Sequence, residues 1–239
     1  MPATVINVIL VLIGSAAGLL FKNFISDKLT SALTRALGLC VLGIGISSLT
    51  GTQDMMCVIV CMVTGTAIGH AADIEGRLEG VGGLLKKKLV KGNGHSRFTE
   101  GFVTAFLLYC VGAMSITGSI EAGLNHNYKI IISKPVLDGV SSVSFAATMG
   151  IGVAFSAVPM LIYQGGITLL AGWVGPYLPE AVITEMTAVG GALIVALAVN
   201  VLELGREKIK VGNMLPAMFL PIAYIPLAEW LSELTARLF

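Results

Sequence analysis

Thr4–Phe21 reads TVINVILVLIGSAAGLLF, eighteen residues without a single charge. A helix needs about 20 mostly apolar residues to cross a hydrocarbon core, because each residue rises roughly 1.5 Å. Comparable runs recur at Ser31–Leu49, Asp54–Ala71, Glu100–Leu124, Pro135–Val158, Met160–Tyr177, Val182–Leu204 and Asn213–Trp230. Short polar links separate them, apart from one longer stretch, Ala72–Thr99. Backbone N–H and C=O groups inside lipid must be satisfied within their own segment, so runs this long read as helices. A membrane barrel would instead show short segments of period two. The expected fold is therefore all-α: a polytopic membrane bundle of seven or eight helices, forming one transmembrane domain over residues 1–239.

Composition points the same way. Hydrophobic residues make up 55% of the chain and charged residues only 12%, with a net charge of +1. No basic, aromatic-interleaved tract suggests nucleic acid. The four cysteines, Cys40, Cys57, Cys61 and Cys110, all lie in apolar runs, where they behave as small hydrophobes. Cys57 and Cys61 share a helix face, but no histidine or carboxylate joins them at metal-ligand spacing. Neither a metal nor a cofactor is expected. The first run lacks the basic leader of a cleavable signal and reads as a retained span.

Orientation follows from the basic residues. With Ala72–Thr99 in the cytoplasm, Lys22, Lys28, Arg35, the Lys86–Lys88 cluster and the basic link Arg206–Lys210 all fall on the inner side. Lys129, Lys134 and Arg237 are left outside. Within Ala72–Thr99, Ile74, Leu78, Val81, Leu85 and Leu89 mark the apolar face of an amphipathic helix with a basic end. Such a helix suits the inner lipid surface.

Chemistry-bearing residues inside the runs are few. Asp138, Ser141, Ser142, Thr148, Gly152 and Ser156 fall within one arc of the fifth run at about 100° per residue. A carboxylate with hydroxyls could replace part of the hydration shell of a cation or hold a polar solute. The same pattern also suits capping and packing: Asp138 follows Pro135 closely, as at a helix N-terminus, and small residues let helices approach. In the sixth run, Gln164-Gly165-Gly166 fits either an interrupted helix that binds solute or a kinked continuous one. Glu121 lies near the outer mouth, and Asn200 near the inner end of the seventh run. Pro216, Pro221 and Pro226 require the last run to bend or partly unwind. The pairs Gly14–Gly18 and Gly65–Gly69 have GxxxG spacing, which allows close contact within the chain or in a homo-oligomer. A weak internal echo relates Leu39-Cys40-Val41 to Tyr109-Cys110-Val111, and Gly69 with Gly82-Gly83 to Gly152 with Gly165-Gly166. No Ser/His/Asp set, HExxH or P-loop occurs, and no enzymatic activity is expected.

Several motifs together resemble a known family. They are Pro2-Ala3-Thr4-Val5-Ile6-Asn7, Gly38-Leu39-Cys40-Val41-Leu42-Gly43-Ile44-Gly45, Val111-Gly112-Ala113-Met114, Gly118-Ser119-Ile120-Glu121 and Asp138-Gly139-Val140-Ser141-Ser142. Across essentially the whole chain they are similar to the YqgA-like family of bacterial inner-membrane proteins, a domain-of-unknown-function family. The resemblance implies a multi-pass place in a bacterial inner membrane and no mechanism.

Two functional classes follow. One is a secondary transporter or channel for a small ion or polar solute, with Asp138, Ser141 and Ser142 lining the path. The other is a non-transporting scaffold or sensor in the lipid bilayer, acting through the 72–99 surface.

Overall fold

Helix ends follow from local chemistry. α1 (Pro2–Phe21) opens on a proline, whose missing N–H is one the first turn leaves unpaired anyway. α2 (Asp27–Leu49) is capped by Ser26, whose hydroxyl accepts from the Leu29 N–H. α3 (Met55–Ala71) is capped by Asp54, which accepts from the N–H groups of Met56 and Cys57 at 2.9 and 3.2 Å. After Asp73, at φ 47°, the chain turns by 53° into α4 (Ile74–Leu89). Then follow α5 (Phe98–Val111), α6 (Lys129–Met149), the single turn α7 (Gly152–Phe155), α8 (Ala157–Val174) and α9 (Glu180–Val201). A 3-10 segment, Val211–Phe219, meets α10 (Pro221–Leu238) at a 45° bend. The computed structural model describes residues 2–22, 26–89, 98–111, 115, 129–174 and 178–238. All regular elements among them are helical.

Four stretches are long and apolar enough to cross a membrane: Thr4–Phe21, Ser31–Leu49, Gly152–Leu169 and Glu180–Val201. Counting each bent pair, α3 with α4 and the 3-10 segment with α10, as one span raises the number to six among the described residues. This supports a polytopic helical bundle and leaves the expected seven or eight spans short. The fourth expected span, 100–124, is helical to Val111, and most of its remainder lies outside the described residues. The fifth expected span, 135–158, is displaced. Its helix begins at Lys129, carries Pro135 inside it and ends at Met149. Gly150 breaks it at φ 86°, a conformation that L side chains adopt reluctantly. The unwinding expected at the prolines of the last run is the 3-10 segment itself.

Packing ties the first half of the chain to the second. α1 and α6 run parallel, since Leu10 meets Gly139 and Gly18 meets Val143 and Ala146. They touch so closely that a Cβ at Gly14 would overlap the Gly139 carbonyl, and one at Gly18 the Val143 carbonyl. α2 and α9 run antiparallel, with Gly38 against Leu202 and Gly45 against Val195. α3 lies antiparallel to the 3-10 segment, with Gly65 on Ala217 and Gly69 on Asn213. Both GxxxG pairs are thus spent on contacts within the chain. The echo between Gly69 and Gly152 does not extend to packing, because Gly152 rests on Phe98 of α5. These contacts set one end of the bundle, where α1, α3, α6 and α9 begin, against the other, where α2, α4, α5 and α8 begin.

Candidate functional site

Four helices bring polar side chains together in the bundle's interior. From α1, Asn7 Nδ2 donates to Asp138 Oδ2 of α6 at 2.9 Å and to Gln164 Oε1 of α8 at 3.2 Å. Gln164 Nε2 donates to the Tyr109 carbonyl of α5 at 3.1 Å, with Ser115 Oγ 3.4 Å away. Ser115 also donates to that carbonyl. One turn before Asp138, Lys134 Nζ forms an ion pair with Asp138 Oδ2. Asn7 is 1%, Gln164 3% and Lys134 6% exposed, while the Asp138 side chain keeps 13% of its surface exposed.

The geometry of α6 bears on the capping role of Asp138. With the helix starting at Lys129, Asp138 lies well past the first turn, too far to cap it or to gain from its dipole. Its charge is balanced by Lys134 instead, at i,i+4 spacing. Lys134 was expected in an exterior loop because Pro135 looked like a helix start; it is an interior residue. An ionised pair is tolerated in an apolar interior only with good geometry and further hydrogen bonds, and Asn7 supplies one.

The network is not saturated. Asn7 Oδ1, Thr4 Oγ1, Ser15 Oγ, Tyr109 OH and Tyr163 OH are buried without a hydrogen-bond partner. Each such atom costs about 1–3 kcal/mol if it stays unmatched. Asn7 Oδ1 belongs to the amide that bonds Asp138, and the Tyr109 phenol faces Ser141 on the same helix as Asp138.

The rest of the Asp138 stripe is used differently. Ser141 donates to the Asp138 carbonyl at 3.0 Å, and Thr148 to those of Ser144 and Phe145 at 3.0 and 3.2 Å. Ser142 donates to the Gly139 carbonyl at 2.7 Å and the Val11 carbonyl at 3.2 Å, pinning α6 to α1. Each of these hydroxyls donates to a backbone carbonyl, and Ser141 also faces the Tyr109 phenol.

Gly165 and Gly166 do not interrupt α8, which runs unbroken from Ala157 to Val174. Of the two alternatives the continuous helix is the one seen, and a break lies earlier, between Gly150 and Ser156. Gly165 is buried, and a Cβ on it would meet no described atom within 4 Å. Asn200 holds backbone rather than solute. Its amide exchanges two 2.8 Å hydrogen bonds with Ile209, clipping the link after α9. Glu121 lies outside the described residues.

Sequence reading missed Asn7, Lys134, Tyr109 and Ser115 as partners. A second buried carboxylate, Glu185 of α9, is 2% exposed and also went unnoticed as an interior group. It accepts from Thr52 Oγ1 at 2.6 Å and from the N–H groups of Gln53 and Asp54 at 2.7 and 3.1 Å. Its oxygens are committed to the turn between α2 and α3.

Residues 2–225 match the family model described as "Protein of unknown function (DUF554)". The chain is 32% identical over 225 residues to "Uncharacterized membrane protein YdfK" of Bacillus subtilis, covering 92% of this chain and 94% of that protein. It is 28% identical over 221 residues to "Uncharacterized protein YqgA" of Escherichia coli, covering 90% and 92%. No solved structure matches.

Proposed function

The chain belongs to the DUF554 family, and from that premise we propose that this membrane protein is a secondary transporter or channel for a small ion or polar solute, bound where Asn7, Lys134, Asp138 and Gln164 meet. One observation carries the reading. An ion pair and two amides from three helices converge inside the bundle, with buried hydrogen-bonding atoms left open beside them. Ionisable groups at membrane depth are costly and cluster on solute and ion paths. In the unloaded state Lys134 neutralises Asp138. A solute entering there would take up the free acceptor on Asn7 and the phenol of Tyr109, and would loosen the Lys134–Asp138 contact.

The test uses purified protein reconstituted in liposomes, loaded with candidate cations, organic anions or amino acids. Flux should be saturable and should vanish in the paired variant Lys134→Met/Asp138→Leu, which removes both charges together. Flux equal to wild type in that variant would sink the proposal.

A sensor acting through the 72–99 surface is the second reading, and one observation favours it. α4 is fixed to the body of the protein: the Glu75 N–H donates to Asn213 Oδ1 at 2.8 Å, and the Glu75 carboxylate accepts from the Gly212 N–H. A change at α4 is therefore passed to the 3-10 segment that packs on α3.

A further inference from the structure

Away from the Asp138 network, at the end of the bundle where α4 and α5 begin, a cleft of about 230 Å³ opens between α4, α5, the end of α9 and the link Lys208–Val211. Its walls are held by three separate contacts. Asn200 clips Ile209, Glu75 joins Gly212 and Asn213, and Lys208 Nζ pairs with Glu100 Oε1 at 2.7 Å. Preformed walls of this kind lower the ordering cost of binding.

The lining is chemically divided. Val103, Leu107, Leu197 and Val201 make an apolar floor, while Glu75, Glu79, Glu100, Lys208 and Lys210 carry charge at the rim. Three glutamates stand against two lysines in this lining, an excess of negative charge among the described residues. Glu75 and Glu79 are one helical turn apart on α4, and Glu79 is the exposed one of the two. A further polar group points to a ligand. Thr104 is 8% exposed and lines the cleft, and its hydroxyl hydrogen-bonds to no other described residue. Thr64, Thr148 and Thr168, by contrast, each bond a carbonyl on the preceding turn of their own helix.

We propose that this cleft binds a small organic ammonium ion, with the ammonium between Glu75, Glu79 and the Thr104 hydroxyl and the alkyl body on the Val103–Leu107–Leu197–Val201 floor. An ammonium supplies three donors to carboxylate and hydroxyl acceptors, and a short aliphatic chain suits the floor. An organic anion would have to approach the two glutamates.

The experiment titrates the full-length protein in nanodiscs with n-pentylammonium chloride by calorimetry. Sodium chloride and sodium pentanoate at equal ionic strength serve as controls. The wild type should bind n-pentylammonium saturably at the cleft, and pentanoate should give no saturable heat. Glu79→Gln, at an exposed position that folding tolerates, should weaken binding by about tenfold, the loss expected of one charge-assisted hydrogen bond. Thr104→Val should weaken it by a smaller factor, and Lys134→Met/Asp138→Leu should leave it unchanged, separating this site from the interior network. Equal binding to wild type and Glu79→Gln would overturn the proposal. So would pentanoate binding as tightly as the amine, or no saturable heat from wild type that melts cooperatively.

Discussion

Glu185 and Asp138 are both carboxylates taken out of water, and their partners differ in kind. Glu185 accepts from two backbone N–H groups and the Thr52 hydroxyl, all within the turn that joins α2 to α3. Asp138 is held by side chains, Lys134 on its own helix and Asn7 on α1, and Asn7 reaches on to Gln164 of α8. Open hydrogen-bonding atoms remain at Asn7 and Tyr109. Backbone donors cannot leave without unfolding the turn, whereas side-chain partners can exchange with a solute. The first carboxylate fastens a turn, and the second is the one proposed to meet a solute.

The largest expected effect comes from Glu185→Ala. It strands the Gln53 and Asp54 N–H groups and the Thr52 hydroxyl, so stability should fall by about 3–5 kcal/mol, the range for breaking a buried charged contact. Denaturant titration in detergent measures it, and a loss under about 1 kcal/mol would break the contrast by showing that the turn does not depend on Glu185. Next comes Asp138→Asn, which leaves Lys134 buried without a counter-charge and should cost roughly 3 kcal/mol. The neutral substitution is therefore a test of folding as well as of function.

The paired change sharpens the comparison. Replacing an ion pair by apolar residues of similar volume is often close to neutral, so Lys134→Met/Asp138→Leu should recover stability to within about 1 kcal/mol of wild type. A melting curve of the double variant beside both single ones supplies the cycle, and additive losses would mean that the two residues do not act on each other. The smallest effect is expected of Ser142→Ala. Its hydroxyl serves the Gly139 and Val11 carbonyls only, and about 1 kcal/mol or less should be lost with ligand response intact. A lost ligand response there would return the serine stripe to the site.

Much of the fold could be read from apolar run length, and α1, α2, α3 and α9 fall close to where those runs lie. An error came where one proline was taken at its local meaning. Pro135 looked like a helix start, but Lys129–Ser133 extends α6 ahead of it. Gly165-Gly166 left a break and a continuous helix equally open; the helix is continuous there, and the break is at Gly150, where the backbone itself takes a positive φ. Asp138 and Gln164 stood out as rare polar groups in apolar runs, and the fold joins them. The group that joins them, Asn7, was hidden because one amide in a span has no periodic signature of its own. Lys134 carried a usable signal, its i,i+4 spacing to Asp138, which the assumed helix start concealed. The pairing of α1 with α6 spans more than a hundred residues of sequence, and no local pattern encodes it.

The most direct test of a solute site at Asp138 is the thermal stability of the purified protein against cations, organic anions and amino acids, with Lys134→Met/Asp138→Leu alongside. A ligand at about 100 times its dissociation constant stabilises a fold by roughly 2.7 kcal/mol. At least one compound should raise the melting temperature of wild type and leave the folded double variant unmoved. No response from wild type to any of them, or equal responses from both proteins, would contradict the assignment and leave the buried pair as a structural feature of α6.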